Sequence, residues 1–158
     1  MNVPRRFRTA AVLFAAAALV AVPLAVPGPA AGNQPAKCTK LTAKPPAATK
    51  FKGTLSGCAP VAATGGSGTG TFVYSASGTL RVTIKWASGK GTTRANAKFA
   101  NQTNPGRCKA ATRVTITGKV TGGTGAAAKV IKKGQPITGS ACFGAKGVTL
   151  EPGTVLKF

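Results

Sequence analysis

The sequence has almost no acidic residues and no histidine. Its 158 residues include 22 lysines and arginines, one acid, Glu151, and no aspartate. General acid–base catalysis ordinarily uses a histidine or a carboxylate, a glycosidase needs two carboxylates, and a serine or cysteine triad needs a histidine. These enzyme classes are excluded, so we expect a noncatalytic protein. Only a Ser–Lys or Thr–Lys pair stays open, and nothing in the sequence positions one.

The scarcity of acidic residues and histidine also leaves no set of ligands for a metal ion. Zinc sites need histidine, cysteine or carboxylate ligands, and a calcium site would lack its anionic oxygens, so we expect no metal and no cofactor. The four cysteines show no zinc-ligand spacing and predict two disulfides in an oxidising compartment. Three pairings are possible. Cys38–Cys58 with Cys108–Cys142 is favoured because each bond closes a modest loop between neighbouring segments.

The N-terminus has the pattern of a secretory signal peptide. Arg5, Arg6 and Arg8 precede the apolar stretch "TAAVLFAAAALVAVPLAVP", and the small residues "GPAAG" follow it. This order predicts a signal peptide over residues 1–30, with cleavage after Ala30 or Ala31, and a secreted or cell-envelope-associated protein. An uncleaved membrane anchor is the alternative. It is disfavoured because the stretch contains prolines and is close to the minimum spanning length of about 18–20 residues.

The exported part carries a very unbalanced charge. Without the three arginines of the leader, the 22 cationic residues fall to 19, which against Glu151 alone leaves a net charge of +18. High net charge keeps a protein soluble and monomeric, so a monomer is expected and solubility alone is one interpretation. Solubility does not require so extreme a ratio of signs. The sequence therefore favours contact with an anionic polymer or a membrane surface.

The rest of the chain reads as a flexible lead-in over residues 31–50 and a single β-domain over residues 51–158. The domain is a series of short alternating stretches rich in valine, threonine, isoleucine and phenylalanine, separated by glycine clusters. Seven to nine strands at this spacing predict an all-β, antiparallel β-sandwich or small β-barrel, braced by disulfides. "APVAATGGSGTG" is predicted as a loop, and "AAKVI" with "PITGSACF" as a hairpin. No segment of the domain shows a convincing helical period.

One predicted hairpin, "LRVTIKWASGKGTTRANAKF", has an apolar face and a cationic face. Its inward positions run from Leu80 to Trp86 and from Thr93 to Phe99. If Trp86 lies opposite Thr93, like charges face each other in two pairs, Lys85–Arg94 and Arg81–Lys98, at a cost of roughly 0.2–1 kcal/mol per pair. A register two residues away, with Lys85 opposite Asn96, relieves part of this repulsion. Facing cations would favour a bound anion, and staggered cations would favour a solubilising face.

A second strand, "TRVTITGKV", adds two outward cations, which gives six candidate polyanion-binding residues: Arg81, Lys85, Arg94, Lys98, Arg113 and Lys119. We expect no specific nucleic-acid readout, because few aromatic residues lie outside the predicted core.

Two alternative functions stay open. One is a barrel with an interior pocket for a small ligand, and the other is a secreted inhibitor that presents a loop such as Asn101 to Cys108.

The single tryptophan is predicted to anchor the core. Trp86 continues the inward series of its strand, and buried aromatic side chains dominate cores of this kind. The alternative places Trp86 at the strand end as a stacking platform for a sugar ring or a base. Phe72 and Tyr74 share one face of a short strand and are also predicted to lie in the core.

Several short features together resemble the small secreted β-proteins of high-GC Gram-positive bacteria. These features are the alanine-rich leader, the early Cys38, "GTLSGC", and the strand that ends in Trp86 before a glycine-containing turn, "IKWASGKGT". The resemblance covers most of the exported chain. It implies a secreted β-sandwich or barrel and assigns no functional residues.

Overall fold

The computed structural model describes residues 35–44, 49–75 and 78–158. The predicted signal peptide lies outside the described residues. Most of the described chain is β-structure, with two short helices, α1 (Val61–Thr64) and α2 (Gly125–Val130), and a 3₁₀ turn, Ala87–Gly89. The strands, in chain order, are β1 (Lys37–Ala43), β2 (Lys50–Ala59), β3 (Ser67–Tyr74), β4 (Leu80–Trp86), β5 (Thr92–Asn101), β6 (Thr112–Thr124), β7 (Pro136–Gly144), β8 (Gly147–Leu150) and β9 (Leu156–Lys157).

The strands close into an antiparallel barrel with eight strand positions. Each strand from β2 to β7 pairs with the next strand in the sequence, and β1 pairs with both β2 and β8. The short strands β8 and β9 follow one another in the eighth position, because Val148 lies opposite Ala43 and Leu156 lies opposite Cys38 on the same strand, β1. Closure removes the sheet edges that would otherwise template aggregation. The barrel form of the predicted all-β fold is confirmed, and the sandwich form is wrong.

Large apolar side chains fill the barrel interior. The inward positions of β4 predicted from Leu80 to Trp86 are all buried, as are Thr93, Ala95 and Ala97 on β5. An eight-stranded barrel is just wide enough for side chains to fill. The central side chains leave a cavity of about 30 Å³, roughly the share of liquid volume taken by one water molecule. We therefore do not propose the interior ligand pocket considered from the sequence.

Aromatic contacts close both ends of this core. Phe51 stacks on Phe72 with ring centroids 4.8 Å apart, and the half-buried Tyr74 lies 5.9 Å from Phe51. Farther along the barrel, Trp86 meets Phe158 edge-on at 5.7 Å, and its Nε1 donates a hydrogen bond of 2.8 Å to Oγ1 of a buried threonine. Trp86 is 4% exposed. It is the predicted core anchor, and it is not available as a stacking platform.

Both disulfides are present in the pairing favoured from the sequence. Cys38–Cys58 joins the neighbouring strands β1 and β2, where the two residues lie directly opposite each other. Cys108–Cys142 ties the connection between β5 and β6 to β7. Ala141 is buried in the core and Phe143 packs against it, so Cys142 points to the outer side of the barrel. The β5–β6 connection is therefore held against the outer wall.

Three segments differ from their predicted structure. The predicted lead-in, residues 31–50, contains β1, which completes the barrel. "GAAAKV" forms α2 rather than a strand, and its buried Ala127 packs into the core. The predicted loop after Cys58 holds α1 and the start of β3, where the buried glycines Gly68 and Gly70 face inward. These glycines make room for large neighbours, since a Cβ on Gly68 would lie 2.9 Å from a ring atom of Trp86.

Candidate anion-binding surface

The outward positions of β4 and β5 carry the four cations predicted from the hairpin pattern. Arg81, Lys85, Arg94 and Lys98 are all exposed, and they alternate with buried residues along both strands. Side chains of a strand point alternately to opposite faces, and closure of the barrel buries one of those faces. All four cations therefore lie on the outer wall.

The register of this hairpin matches neither predicted register. Lys85 lies opposite Thr92, and Arg81 lies opposite Asn96. The turn sets this register, because turn geometry fixes which residues of a hairpin pair. In this turn Ser88, Gly89 and Gly91 adopt positive φ. No two cations of the hairpin face each other directly. As stated for the sequence, staggered cations favour a solubilising face over a preformed anion-binding site.

The staggered cations are nonetheless close along the diagonals of the sheet. Arg94 faces Thr83, which places it diagonally next to both Arg81 and Lys85. Diagonal neighbours on paired strands lie about 7–8 Å apart. The cations therefore form an open array separated by threonine and asparagine, and long flexible side chains in such an array can converge on an extended anion.

Strand β6 extends this array by one residue. Lys119 lies opposite Asn96, and Thr117 lies opposite Lys98. A shallow groove of about 510 Å³ runs between the two lysines on the outer wall, and its lining includes Asn96 and Thr117. Hydroxyl and amide groups can donate hydrogen bonds to an anion held by the lysines. We call the five exposed cations of β4, β5 and β6 the basic face: Arg81, Lys85, Arg94, Lys98 and Lys119.

Arg113, the sixth predicted residue, is not part of the basic face. It lies six residues from Lys119 on the same strand, a distance of about 20 Å at the usual rise per residue. Its Nε donates a hydrogen bond of 2.8 Å to a carboxylate oxygen of Glu151 and forms a salt bridge with it. The sequence pattern shows that Arg113 points outward, but it does not show that the only acid of the chain lies beside it.

Two lysines of β2 extend the positive surface around the barrel. Lys50 and Lys52 are exposed, and across β3 the register aligns Lys50 with Val73, which in turn faces Arg81. This pair is not among the predicted residues, because Lys50 falls within the predicted lead-in. The alternation in "KFKGTL" was the available signal.

Glu151 is buried under the β5–β6 connection and does not offset the surface charge. The backbone N–H of Arg107 donates a hydrogen bond of 2.9 Å to its Oε1, and Arg113 binds its Oε2. The pKa of Glu151 is lowered, first by the backbone hydrogen bond from Arg107 and then by the hydrogen bond and charge of Arg113. Because Glu151 is the only acidic side chain in the sequence, no side-chain carboxylate faces the basic face.

The described residues provide neither a metal site nor a helix that could span a membrane. Among residues 35–44, 49–75 and 78–158, no group of three cysteine, histidine or acidic side chains could hold a metal ion. In the same part of the chain, no helix is long and apolar enough to cross a membrane.

Comparison with known proteins assigns no functional residues to this chain. No family model, no curated protein and no solved structure matches the chain.

Proposed function

We propose that this protein is a noncatalytic binding protein that holds an anionic polymer on its basic face. The observation that carries the proposal is the grouping of five exposed cations on three neighbouring strands, with the only acidic side chain buried elsewhere and paired with Arg113. A polyanion that contacts such a surface releases condensed counterions, which supplies binding free energy without sequence-specific contacts.

The groove between Lys98 and Lys119 supports an extended ligand. It follows the outer wall, and the neutral side chains around it are mainly threonine and asparagine. These groups can donate hydrogen bonds to phosphate, sulfate or carboxylate oxygens while the lysines supply charge. The proposed ligand is therefore a chain of repeated anionic groups, such as a cell-envelope polymer, and the proposed location is secreted or at the envelope.

The experiment compares two variants with equal loss of charge on immobilised heparin. One neutralises the basic face: R81Q, K85Q, R94Q, K98Q and K119Q. The control neutralises five exposed lysines outside it: K37Q, K40Q, K132Q, K133Q and K157Q. We expect the first variant to elute at clearly lower salt than the control. Equal elution of both variants would mean that net charge alone matters, and it would refute a dedicated face.

We propose an inhibitory loop as a second candidate function, favoured by the bracing of residues 102–111. The Cys108–Cys142 disulfide and the hydrogen bond from Arg107 to Glu151 hold this segment at two points, and Gly106 N–H donates to Asn104 Oδ1 at 2.8 Å. Preorganised loops lose little entropy on binding. Assays of residual protease activity with a panel of serine and cysteine proteases test this candidate. Cleavage of the segment with no inhibition would refute it.

A further inference from the structure

A second groove lies on the outer wall, beneath the segment 102–111. This segment leaves β5, folds back over β6 to β8, and is fixed there by Cys108–Cys142 and by the Arg107–Glu151 hydrogen bond. Between it and the turn from β7 to β8 lies a groove of about 1070 Å³, which we call the loop groove. Small-molecule sites typically occupy about 300–1,000 Å³. The loop groove shares no lining residue with the groove between Lys98 and Lys119.

The lining of the loop groove is built from small residues. Ala111, Gly144 and Gly147 contribute to it, together with the outward-facing Cys142. Gly147 has φ +121 and lies against the Ala43 carbonyl, so a larger residue there would be strained. Few side chains project into the groove from these positions, which leaves a smooth and partly apolar surface that a flat ring or a hydrocarbon body can contact.

Three cations line the same groove, and among the described residues none of them forms a salt bridge, although the charge of Arg107 acts on the nearby Glu151. Arg107, Lys109 and Lys146 are exposed and contribute to its lining. Arg107 Nη1 donates a hydrogen bond of 3.3 Å to the carbonyl of Pro152, which holds the guanidinium at the edge of the groove. A guanidinium has five N–H donors, so Arg107 keeps donors for a ligand. The nearby Glu151 is already bound to Arg113 and to the Arg107 backbone.

We propose that the loop groove binds a small organic anion with a flat apolar body. The small residues contact the apolar body, and the three cations bind its carboxylate, sulfonate or phosphate group. Charge complementarity selects the anion, and the smooth lining selects against a bare inorganic ion, which gains nothing from apolar contact. This site is independent of the basic face.

The experiment titrates the disulfide-bonded chain with 8-anilinonaphthalene-1-sulfonate, an aromatic anion, and follows its fluorescence and the ¹H–¹⁵N spectrum. We expect saturable binding, with shifts concentrated in residues 106–111 and 144–149. The variant K109Q/K146Q should bind roughly tenfold more weakly or worse, since each lost charge-assisted hydrogen bond removes a favourable contact. The five-residue basic-face variant should bind as the wild type does. Because the two variants remove different sites, failure of one proposal is distinguishable from failure of the other.

Three outcomes would overturn the proposal. One is unchanged affinity in K109Q/K146Q. Another is an equal loss in the basic-face variant, which would show binding to surface charge in general. The third is displacement of the dye by inorganic sulfate at the concentration at which naphthalene-2-sulfonate displaces it, which would show that the apolar surface contributes nothing. Displacement by naphthalene-2-sulfonate at much lower concentration than by sulfate supports the proposal.

Discussion

Glu151 and Arg113 form a salt bridge of 2.8 Å on the outer wall of the barrel, beneath the segment 102–111. The two residues are 38 positions apart in the sequence. The acid also accepts the backbone N–H of Arg107, so a single carboxylate joins β6, the β5–β6 connection and the turn after β8. The only acidic side chain in the sequence therefore stabilises the fold, and among the described residues Arg113 is the cation that forms a salt bridge with it.

Replacing this carboxylate should destabilise the fold. The substitution Glu151→Gln keeps the shape but leaves Arg113 without its ion pair and weakens the acceptor for the Arg107 N–H, so we expect a melting midpoint several degrees lower by circular dichroism. The double variant E151Q/R113Q should lose less stability than the sum of the two single losses, because both single substitutions remove the same interaction. Strict additivity of the single effects would contradict this coupling.

The same carboxylate should give the stability a characteristic pH dependence. The pKa of Glu151 is lower in the folded chain than its ordinary value of 4.5, so on acidification the unfolded chain binds the proton first. The contribution is fully present above pH 4.5 and is lost as the pH falls through the lower folded pKa. Urea unfolding from pH 7 to pH 2 should show the wild type and E151Q converging in acid. A constant difference across this range would refute the assignment.

The two disulfides should stabilise the chain to similar extents but protect different regions. They link residues 20 and 34 positions apart, and loop-closure entropy predicts a loss of about 3–4 kcal/mol for removal of either bond. Chemical unfolding of C38A/C58A and C108A/C142A measures this loss. In native conditions, hydrogen exchange in residues 102–111 should accelerate only in C108A/C142A. Equal acceleration in both variants would contradict the bracing role of Cys108–Cys142.

The hydrogen bond between Trp86 and Thr93 predicts a paired effect in the core. Trp86→Phe removes the indole donor and leaves the fully buried Thr93 hydroxyl without it, at a cost of about 1–3 kcal/mol for the unsatisfied group in addition to lost packing. The variant W86F/T93V should be more stable than W86F alone, because the unpaired hydroxyl is gone. Equal or lower stability of the double variant would show that packing against Phe158 dominates.

Much of the fold was predictable from period-two alternation. The inward and outward positions of β4 and β5 follow directly from this period, since a strand exposes alternate side chains to opposite faces. The hairpin register was not predictable in the same way, because it depends on the positive φ angles at Ser88, Gly89 and Gly91. Alternation alone also fits several registers equally well.

Other features escaped prediction because they depend on distant contacts. Glycines such as Gly68 resemble turn residues in the sequence, yet here they make room inside the barrel for Trp86. The short α2 is helical because Ala127 packs into the core, and its local sequence alone would not sustain a helix. The ion pair of Arg113 requires the chain to bring β6 beside the turn after β8. Of the six predicted polyanion-binding residues, Arg113 is therefore the one placed apart from the others.

The proposed function requires the basic face to be a binding surface for an anionic polymer rather than a solubilising coat. The salt dependence of binding to duplex DNA, used as a uniform polyanion, distinguishes the two. Five phosphate contacts predict a slope of log K against log salt of about −4.5 for the wild type. The five-residue basic-face variant should lose most of this slope, and the matched control K37Q/K40Q/K132Q/K133Q/K157Q should keep it. Equal slopes for the two variants would contradict the proposed function.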